Sequence, residues 1–228
     1  MIRSLPLVRR TLLLSVCGLF LFSGRLFAGN PLLMPSEAPY GAPRFDRIHA
    51  ADIMPAIEEG IRAYKAGIAK IRALDPAEAT FENVVVPLDR ADSLLDVPRA
   101  VLGYLKSNFG GDSVIRISLE SAQLTGEAYD AVTLDTAIFR LVKAVYDRRD
   151  AAGLDSLQLR TLGKVYRSYI RGGALCTPGQ KERLKELNRE ISLKRIRHGQ
   201  NITQATQEFV LYVQDSSLLD GLAGTTRQ

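Results

Sequence analysis

A repeated helical spacing of large apolar residues constrains the fold of this chain more than any other feature. The clearest series has intervals of four, four, three, four and three residues and comprises Ile53, Ile57, Ile61, Tyr64, Ile68 and Ile71. These intervals place six side chains on one face of an amphipathic helix. Asp52 is a candidate N-cap, Pro55 suits the first turn, and Asp75 with Pro76 ends the helix.

The same spacing continues after Pro76, so the fold class is predicted to be all-α. A second apolar series runs over residues 81–105 behind the cap Thr80, with a kink expected at Pro87 and a break near Pro98. Three further helices are predicted from the apolar residues Ile115, Leu119, Ala122 and Tyr129, then Leu134, Ile138, Leu141 and Val145, then Leu159, Leu162, Tyr166 and Tyr169.

The last predicted helix has the strongest start signal in the chain. Thr177 is an N-cap, Pro178 occupies the first helical position and Gln180 completes a capping box. Its apolar seam comprises Leu184, Leu187, Ile191, His198, Ile202 and Ala205. We expect His198 to be a buried core histidine, because it lies on that seam.

One short C-terminal strand is predicted at residues 209–213. Phe209, Leu211 and Val213 alternate with Val210 and Tyr212, which is the period of a strand. A strand without a partner is not stable, so this segment suggests that the fold needs more chain than is present here.

Residues 29–48 are predicted to form an extended arm that packs on the helices. Prolines recur every four residues from Pro31 to Pro43, and proline keeps itself and the preceding residue out of helical geometry. The apolar residues within the arm are Leu32, Leu33, Met34, Tyr40 and Phe45.

Residues 1–28 have the layout of a secretory signal peptide. Three arginines precede an apolar run at residues 12–22, and Ala28 offers a cleavage position. The run is too short for a comfortable membrane span. We therefore expect export, with a periplasmic location, and no stable membrane span. An uncleaved anchor and a lipoprotein modified at Cys17 are the alternatives.

The distribution of charge along the chain argues against nucleic-acid binding. Residues 1–28 hold four of the 30 basic residues and none of the 25 acidic ones, so the rest of the chain is nearly neutral. The composition of the chain therefore gives no reason to expect nucleic-acid binding.

After cleavage Cys176 would be the one remaining cysteine, so no intramolecular disulfide could form. We expect Cys176 to be a small buried apolar residue.

No catalytic, cofactor-binding or metal-ligating residue is predicted in this chain. His49 and His198 are 149 residues apart and neither begins a His-Glu-x-x-His motif. Glu58 and Glu59 are adjacent on a helix and point about 100° apart, so they are expected to be solvated rather than paired. The basic residues at 181–197 alternate with acidic ones, which predicts an exposed helix with ion pairs such as Glu186 with Arg189 and Glu190 with Lys194.

Several short motifs, in order, give the chain a resemblance to a known family. They are Asn30-Pro31-Leu32-Leu33, Pro43-Arg44-Phe45-Asp46-Arg47-Ile48, Met54-Pro55-Ala56-Ile57-Glu58, Thr80-Phe81-Glu82-Asn83, Val145-Tyr146-Asp147-Arg148-Arg149-Asp150 and Leu184-Lys185-Glu186-Leu187-Asn188. They resemble the opening region of the oligopeptidase A and peptidyl-dipeptidase family, which comprises zinc metallopeptidases of the thimet-oligopeptidase type.

The resemblance implies a role but no chemistry for this chain. In that family the N-terminal helical region forms one wall of a channel for short peptides, and the His-Glu-x-x-His zinc helix lies far toward the C-terminus. Residues 49–228 would then be a truncated N-terminal peptidase domain, inactive without the missing catalytic region and its zinc. The alternative is a free-standing helical module that binds peptides or proteins without catalysis. Downstream coding sequence distinguishes the two.

Overall fold

The computed structural model describes residues 29–222, and the predicted signal peptide lies outside them. The α-helices are α1 (Ala50–Arg72), α2 (Val86–Arg90), α3 (Asp96–Asn108), α4 (Asp112–Thr133), α5 (Thr136–Asp147), α6 (Ser156–Arg171) and α7 (Pro178–Glu208). A π-helical turn, Phe81–Val85, leads into α2. The all-α fold class is confirmed.

Helix α1 is the centre of the core. All six residues of its predicted apolar series are buried, and it packs against α3, α4 and α5. The predicted series on α5 is also buried throughout, from Leu134 to Val145. A residue spacing of three and four is enough to predict such faces, because both helices bury one side only.

Helix α4 faces the core with small side chains. Its buried residues are Ser118, Ser121, Ala128 and Val132, whereas the predicted series on this helix is only partly buried. Small side chains allow the backbones of two packed helices to come close, which explains how α4 lies along α1.

The helix starts follow their local signals with one exception. Asp155 accepts a hydrogen bond from the Gln158 amide at 2.8 Å, and the Thr177 amide donates to Gln180 Oε1 at 2.9 Å. The exception is α1, whose N-cap is His49. Asp52 instead accepts from the His49 amide at 2.7 Å, so it serves the same helix end from the third position.

Pro87 and Pro98, which were expected to interrupt one long helix, each lie near the start of a separate helix. Pro87 lies in the first turn of α2, directly behind the π-helical turn, and Pro98 lies in the first turn of α3. The interruption between α2 and α3 therefore falls at residues 91–95, before the position expected from Pro98. Proline is tolerated in a first turn because the amide it lacks has no intrahelical partner there.

The arm is anchored at its start and exposed further along. Asn30 is buried, and its Nδ2 donates to the Asp52 carbonyl at 2.8 Å. Leu32 is also buried, whereas Met34 and Tyr40 are exposed. The prediction of a packed arm therefore holds for the first residues, while Tyr40 lies in a short 3-10 turn with a positive φ of 60°.

The predicted strand is wrong. Residues 209–213 form no strand in the described part of the chain, although their backbone is not helical. The physical reason is that no second extended segment among residues 29–222 lies beside them to complete a ladder.

The chain divides into two compact units, one extending to Leu193 and the other beginning at Lys194. The first unit contains the hydrophobic core. The second contains the last part of α7, the non-helical residues 209–213 and a 3-10 turn at Ser216–Leu219. None of the helices among the described residues is both long and apolar enough to cross a membrane.

Arg148 connects the end of α5 to the loop after α1 through hydrogen bonds. Its guanidinium donates to the carbonyls of Ala77 at 2.8 Å, Pro76 at 2.9 Å and Ala79 at 2.6 Å. Those carbonyls belong to a turn, so neither a helix nor a sheet satisfies them.

Replacing Arg148 with alanine is expected to lower the free energy of unfolding by about 1–3 kcal/mol, because hydrogen bonds to charged donors are lost. Chemical denaturation measures the loss. Arg140→Ala changes an exposed arginine on the same helix and is the control. Equal stability of the two variants would contradict the role given to Arg148.

Candidate interaction surface

The described residues bring no metal site together. No group of three His, Cys, Asp or Glu side chains among residues 29–222 could hold a metal ion. His49 is exposed at the start of α1, with its Nδ1 3.5 Å from Asp52 Oδ2. His198 is exposed on α7, so the prediction of a buried core histidine is wrong.

The charged residues singled out from the sequence are mostly exposed. Glu58 is exposed as expected, whereas the side chain of Glu59 is largely buried and pairs with Arg62 on the next turn of α1. The ion pairs on α7 include Arg183 with Glu186 at 2.9 Å and Lys185 with Glu182 at 2.7 Å. The predicted pattern of an exposed, ion-paired helix is therefore confirmed, although Glu186 pairs with Arg183 and not with Arg189 as predicted.

A pocket of about 630 Å³ lies at the start of α7. Its lining includes Leu134, Thr136, Cys176 and Lys181. Lys181 Nζ donates to the Leu134 carbonyl at 2.7 Å and to Thr136 Oγ1 at 2.9 Å. Lys181 therefore joins the starts of α5 and α7, and Cys176 is only partly buried beside it.

A polar network lies between α3 and α4. The Tyr129 hydroxyl donates to Asp92 Oδ2 at 2.8 Å and accepts from Arg99 Nη1 at 2.9 Å. Its ring meets Tyr64 edge-on, with ring centres 5.2 Å apart. Burial, with a smaller contribution from the hydrogen bond to Asp92, raises the pKa of Tyr129 to about 12.

The raised pKa of Tyr129 predicts alkaline destabilisation. The folded protein holds this proton more tightly than the unfolded chain, in which the tyrosine pKa is near 10.0. The contribution of the protonated Tyr129 to the free energy of unfolding is therefore complete below pH 10 and is lost as the pH rises toward 12. Burial also raises the pKa values of Tyr64 and Tyr169, which act in the same direction.

Urea unfolding on both sides of this pH window measures the loss of stability. Tyr129→Phe removes one titrating group and is expected to flatten the pH dependence. An unchanged slope in Tyr129→Phe would show that the Tyr129 proton is not responsible.

Three aromatic side chains form an exposed surface on the first unit, which we call the aromatic surface. Phe45 of the arm contacts Tyr104 of α3 with ring centres 4.9 Å apart, and Tyr104 meets Phe109 at 6.2 Å. Phe109 is 70% exposed. Three adjacent exposed aromatics are unusual on a free surface and typical of surfaces that contact another molecule.

The second unit has an exposed apolar surface of its own. Residues 209–213, the C-terminal apolar segment, are all large and apolar, and Tyr212 is 83% exposed. Leu218 and Leu222 are exposed as well. The part of the chain that the structure describes therefore offers exposed apolar surfaces for contact with another molecule.

Sequence reasoning missed the Tyr129 network and the Arg148 contacts. Asp92, Arg99 and Tyr129 are separated by up to 37 residues, and Arg148 reaches carbonyls 69 to 72 residues away. No short motif connects such positions. The only available signal was Arg148 itself, which lies in one of the motifs that carry the family resemblance.

The fold and these surfaces define an all-helical region with exposed aromatic and apolar contact surfaces. No protein-family model matches the chain. The dipeptidyl carboxypeptidase of Salmonella typhimurium is 33% identical over 198 residues, which cover 85% of this chain and 28% of that enzyme. The dipeptidyl carboxypeptidase of Escherichia coli K12 is 30% identical over 194 residues, with the same shares.

These relatives confirm the resemblance drawn from the motifs. The chain belongs, over the aligned region, to the peptidyl-dipeptidase and oligopeptidase family. It spans about 28% of the length of these curated relatives.

Proposed function

We propose that this chain is the N-terminal, substrate-channel part of an exported zinc peptidyl-dipeptidase that hydrolyses short peptides. The observation that carries the proposal is the alignment with two dipeptidyl carboxypeptidases over 85% of the chain and only 28% of each relative. The helical fold supports it, since a channel wall needs rigid elements rather than reactive side chains.

The zinc of such an enzyme does not fit the residues described here. A catalytic zinc site needs about three protein ligands. Residues 29–222 bring no three suitable side chains together, and His49 and His198 are both exposed. Zinc would therefore be held by the catalytic region of the enzyme, and this region would limit which peptides reach it.

The exposed surfaces support the same proposal. The aromatic surface and the C-terminal apolar segment are both too apolar for ordinary solvent-facing regions. In the proposed enzyme they would contact the catalytic region or the peptide. A free-standing binding module would instead keep them for a separate protein.

A chimera tests the proposal. The aligned residues of the Salmonella typhimurium enzyme are replaced with those of this chain, and release of C-terminal dipeptides from short peptides is measured. We expect the chimera to be active, because the exchanged region would supply a wall of equivalent shape.

The control chimera carries Arg140→Ala, which alters an exposed residue that belongs to neither the aromatic surface nor the C-terminal apolar segment. A chimera that folds and retains zinc but releases no dipeptide would overturn the proposal. The chain alone is expected to bind no stoichiometric zinc, as metal analysis would show, and to release no dipeptide.

Export is tested separately. Residues 1–28, which lie outside the described structure, have the order of regions found in signal peptides. N-terminal sequencing of the protein recovered from the periplasm is expected to begin at Gly29. A start at Met1, or lipid on Cys17, would contradict cleavage.

A further inference from the structure

Lys181 carries a positive charge that no described carboxylate balances. Its Nζ donates to the Leu134 carbonyl at 2.7 Å and to Thr136 Oγ1 at 2.9 Å, and both of these acceptors are neutral. The ion pairs of α7 among the described residues do not include Lys181. An ammonium group has three N–H donors, so one donor of Lys181 remains available to another molecule.

The pocket at the start of α7 has an excess of positive charge. Its charged lining residues are Lys181, Glu182 and Lys185. Lys185 Nζ lies 2.7 Å from Glu182 Oε1, so these two charges balance each other and the charge of Lys181 is left over. A positioned cation in a cavity favours an anionic ligand, because hydrogen bonds between charged groups are about twice as strong as those between neutral groups.

The rest of the pocket lining is mostly apolar. It includes Ala131, Leu134, Cys176 and Pro178. Gly179 also lines the pocket, and a Cβ added there would meet no atom within 4 Å, so the space in front of it is open. The volume of about 630 Å³ is large enough for a small molecule. A ligand with one carboxylate beside an apolar group therefore matches both parts of the lining.

We propose that this pocket binds a small carboxylate with an apolar substituent, either the C-terminal residue of a peptide or a free acid of the same chemistry. The carboxylate accepts a hydrogen bond from the remaining N–H of Lys181, and the apolar group packs against Ala131 and Leu134. Two hydrogen bonds already hold Lys181 in place, which lowers the entropic cost of binding. A channel wall does not require such a site, so the proposal goes beyond the proposed function.

Protection of Cys176 from a thiol reagent tests the site, because Cys176 lines the pocket and is only partly buried. The full chain is prepared with Cys17→Ser, which leaves Cys176 as the one cysteine. The rate of its reaction with an uncharged maleimide is measured at rising concentrations of N-acetyl-leucine. The matched control ligand is N-acetyl-leucinamide, which has the same apolar group and no charge.

We expect N-acetyl-leucine to slow the reaction saturably. The amide should need about a tenfold higher concentration for the same protection, because it lacks the charged hydrogen bond to Lys181. Lys181→Met should weaken protection by the acid by a similar factor. Lys164→Met makes the same change in net charge at an exposed lysine of α6 outside the lining, and it should have no effect. The comparison of acid and amide needs no substitution at Lys181, so it remains decisive if Lys181→Met unfolds the protein.

The tripeptide Ala-Ala-Leu separates the two sources of the carboxylate. Protection at a lower concentration than that of N-acetyl-leucine would identify a peptide C-terminus, and protection at the same or a higher concentration would identify a free acid. Both results support the site. Equal protection by N-acetyl-leucine and its amide, or no saturable protection by either acid, would overturn it. Dipeptide release by the chimera does not require this pocket, so the two proposals fail independently.

Discussion

Replacing Gly60 with alanine is expected to destabilise the protein by about 1–3 kcal/mol, even though alanine is the better helix former. A Cβ added at Gly60 would lie 2.8 Å from Leu95 Cγ and closer still to Leu95 Cδ2. Leu95 is 1% exposed, so it has no space into which to move. The clash therefore outweighs the gain in helix propensity.

Gly67→Ala is the matched control on the same helix. There the added Cβ would lie 3.8 Å from Ala91 Cβ, an ordinary contact. Gly67→Ala is expected to stabilise the protein by up to about 1 kcal/mol. Thermal unfolding of both variants compares them directly.

A double variant tests the cause of the Gly60 effect. Leu95→Ala alone should cost about 2–5 kcal/mol through the cavity it leaves. Combined with Gly60→Ala it should cost less than the two losses added, since the new methyl group occupies part of that cavity. Strict additivity would show that Leu95 is not the residue that resists alanine at position 60.

Deleting residues 208–228 is expected to abolish most self-association while leaving the helical circular-dichroism signal almost intact. The deletion removes the C-terminal apolar segment together with Leu218 and Leu222, which are exposed. It removes only the last residue of α7. Exposed apolar segments and free strand edges promote association, so light scattering should report a smaller, more uniform species.

The deletion also separates the two functional interpretations. A region taken from a larger peptidase should tolerate the loss, because none of the side chains that the structure describes within residues 208–222 is buried. A free-standing binding module should be destabilised by it. Thermal unfolding of the shortened chain decides between them.

Sequence alone was sufficient where a helix buries one face or carries its own end signal. The α1 series, the α5 series and the cap at Thr177 all depend on residues within a few positions of each other. Local spacing fixes such features, because neighbouring turns of one helix determine them.

Sequence was insufficient where the outcome depends on a distant partner. The seam of α7 has helical spacing, yet Ile191 is 47% and Ile202 is 54% exposed. Alternation at residues 209–213 likewise describes a strand that finds no partner in the described chain. A pattern shows which face is apolar, but not whether another part of the molecule covers it.

The exposure of α7 has a consequence for cooperativity. This helix of 31 residues has no fully buried side chain among those described, so its stability comes from its cap, its ion pairs, helix propensity and polar contacts such as those of Lys181 with Leu134 and Asn188 with Asp130. The core of the first unit is held instead by burial around α1. The chain contains no tryptophan, and its buried tyrosines, Tyr64 and Tyr169, lie in that core. We therefore expect melting of α7 to leave tyrosine fluorescence unchanged while lowering the helical circular-dichroism signal, so that the two measurements report different transitions.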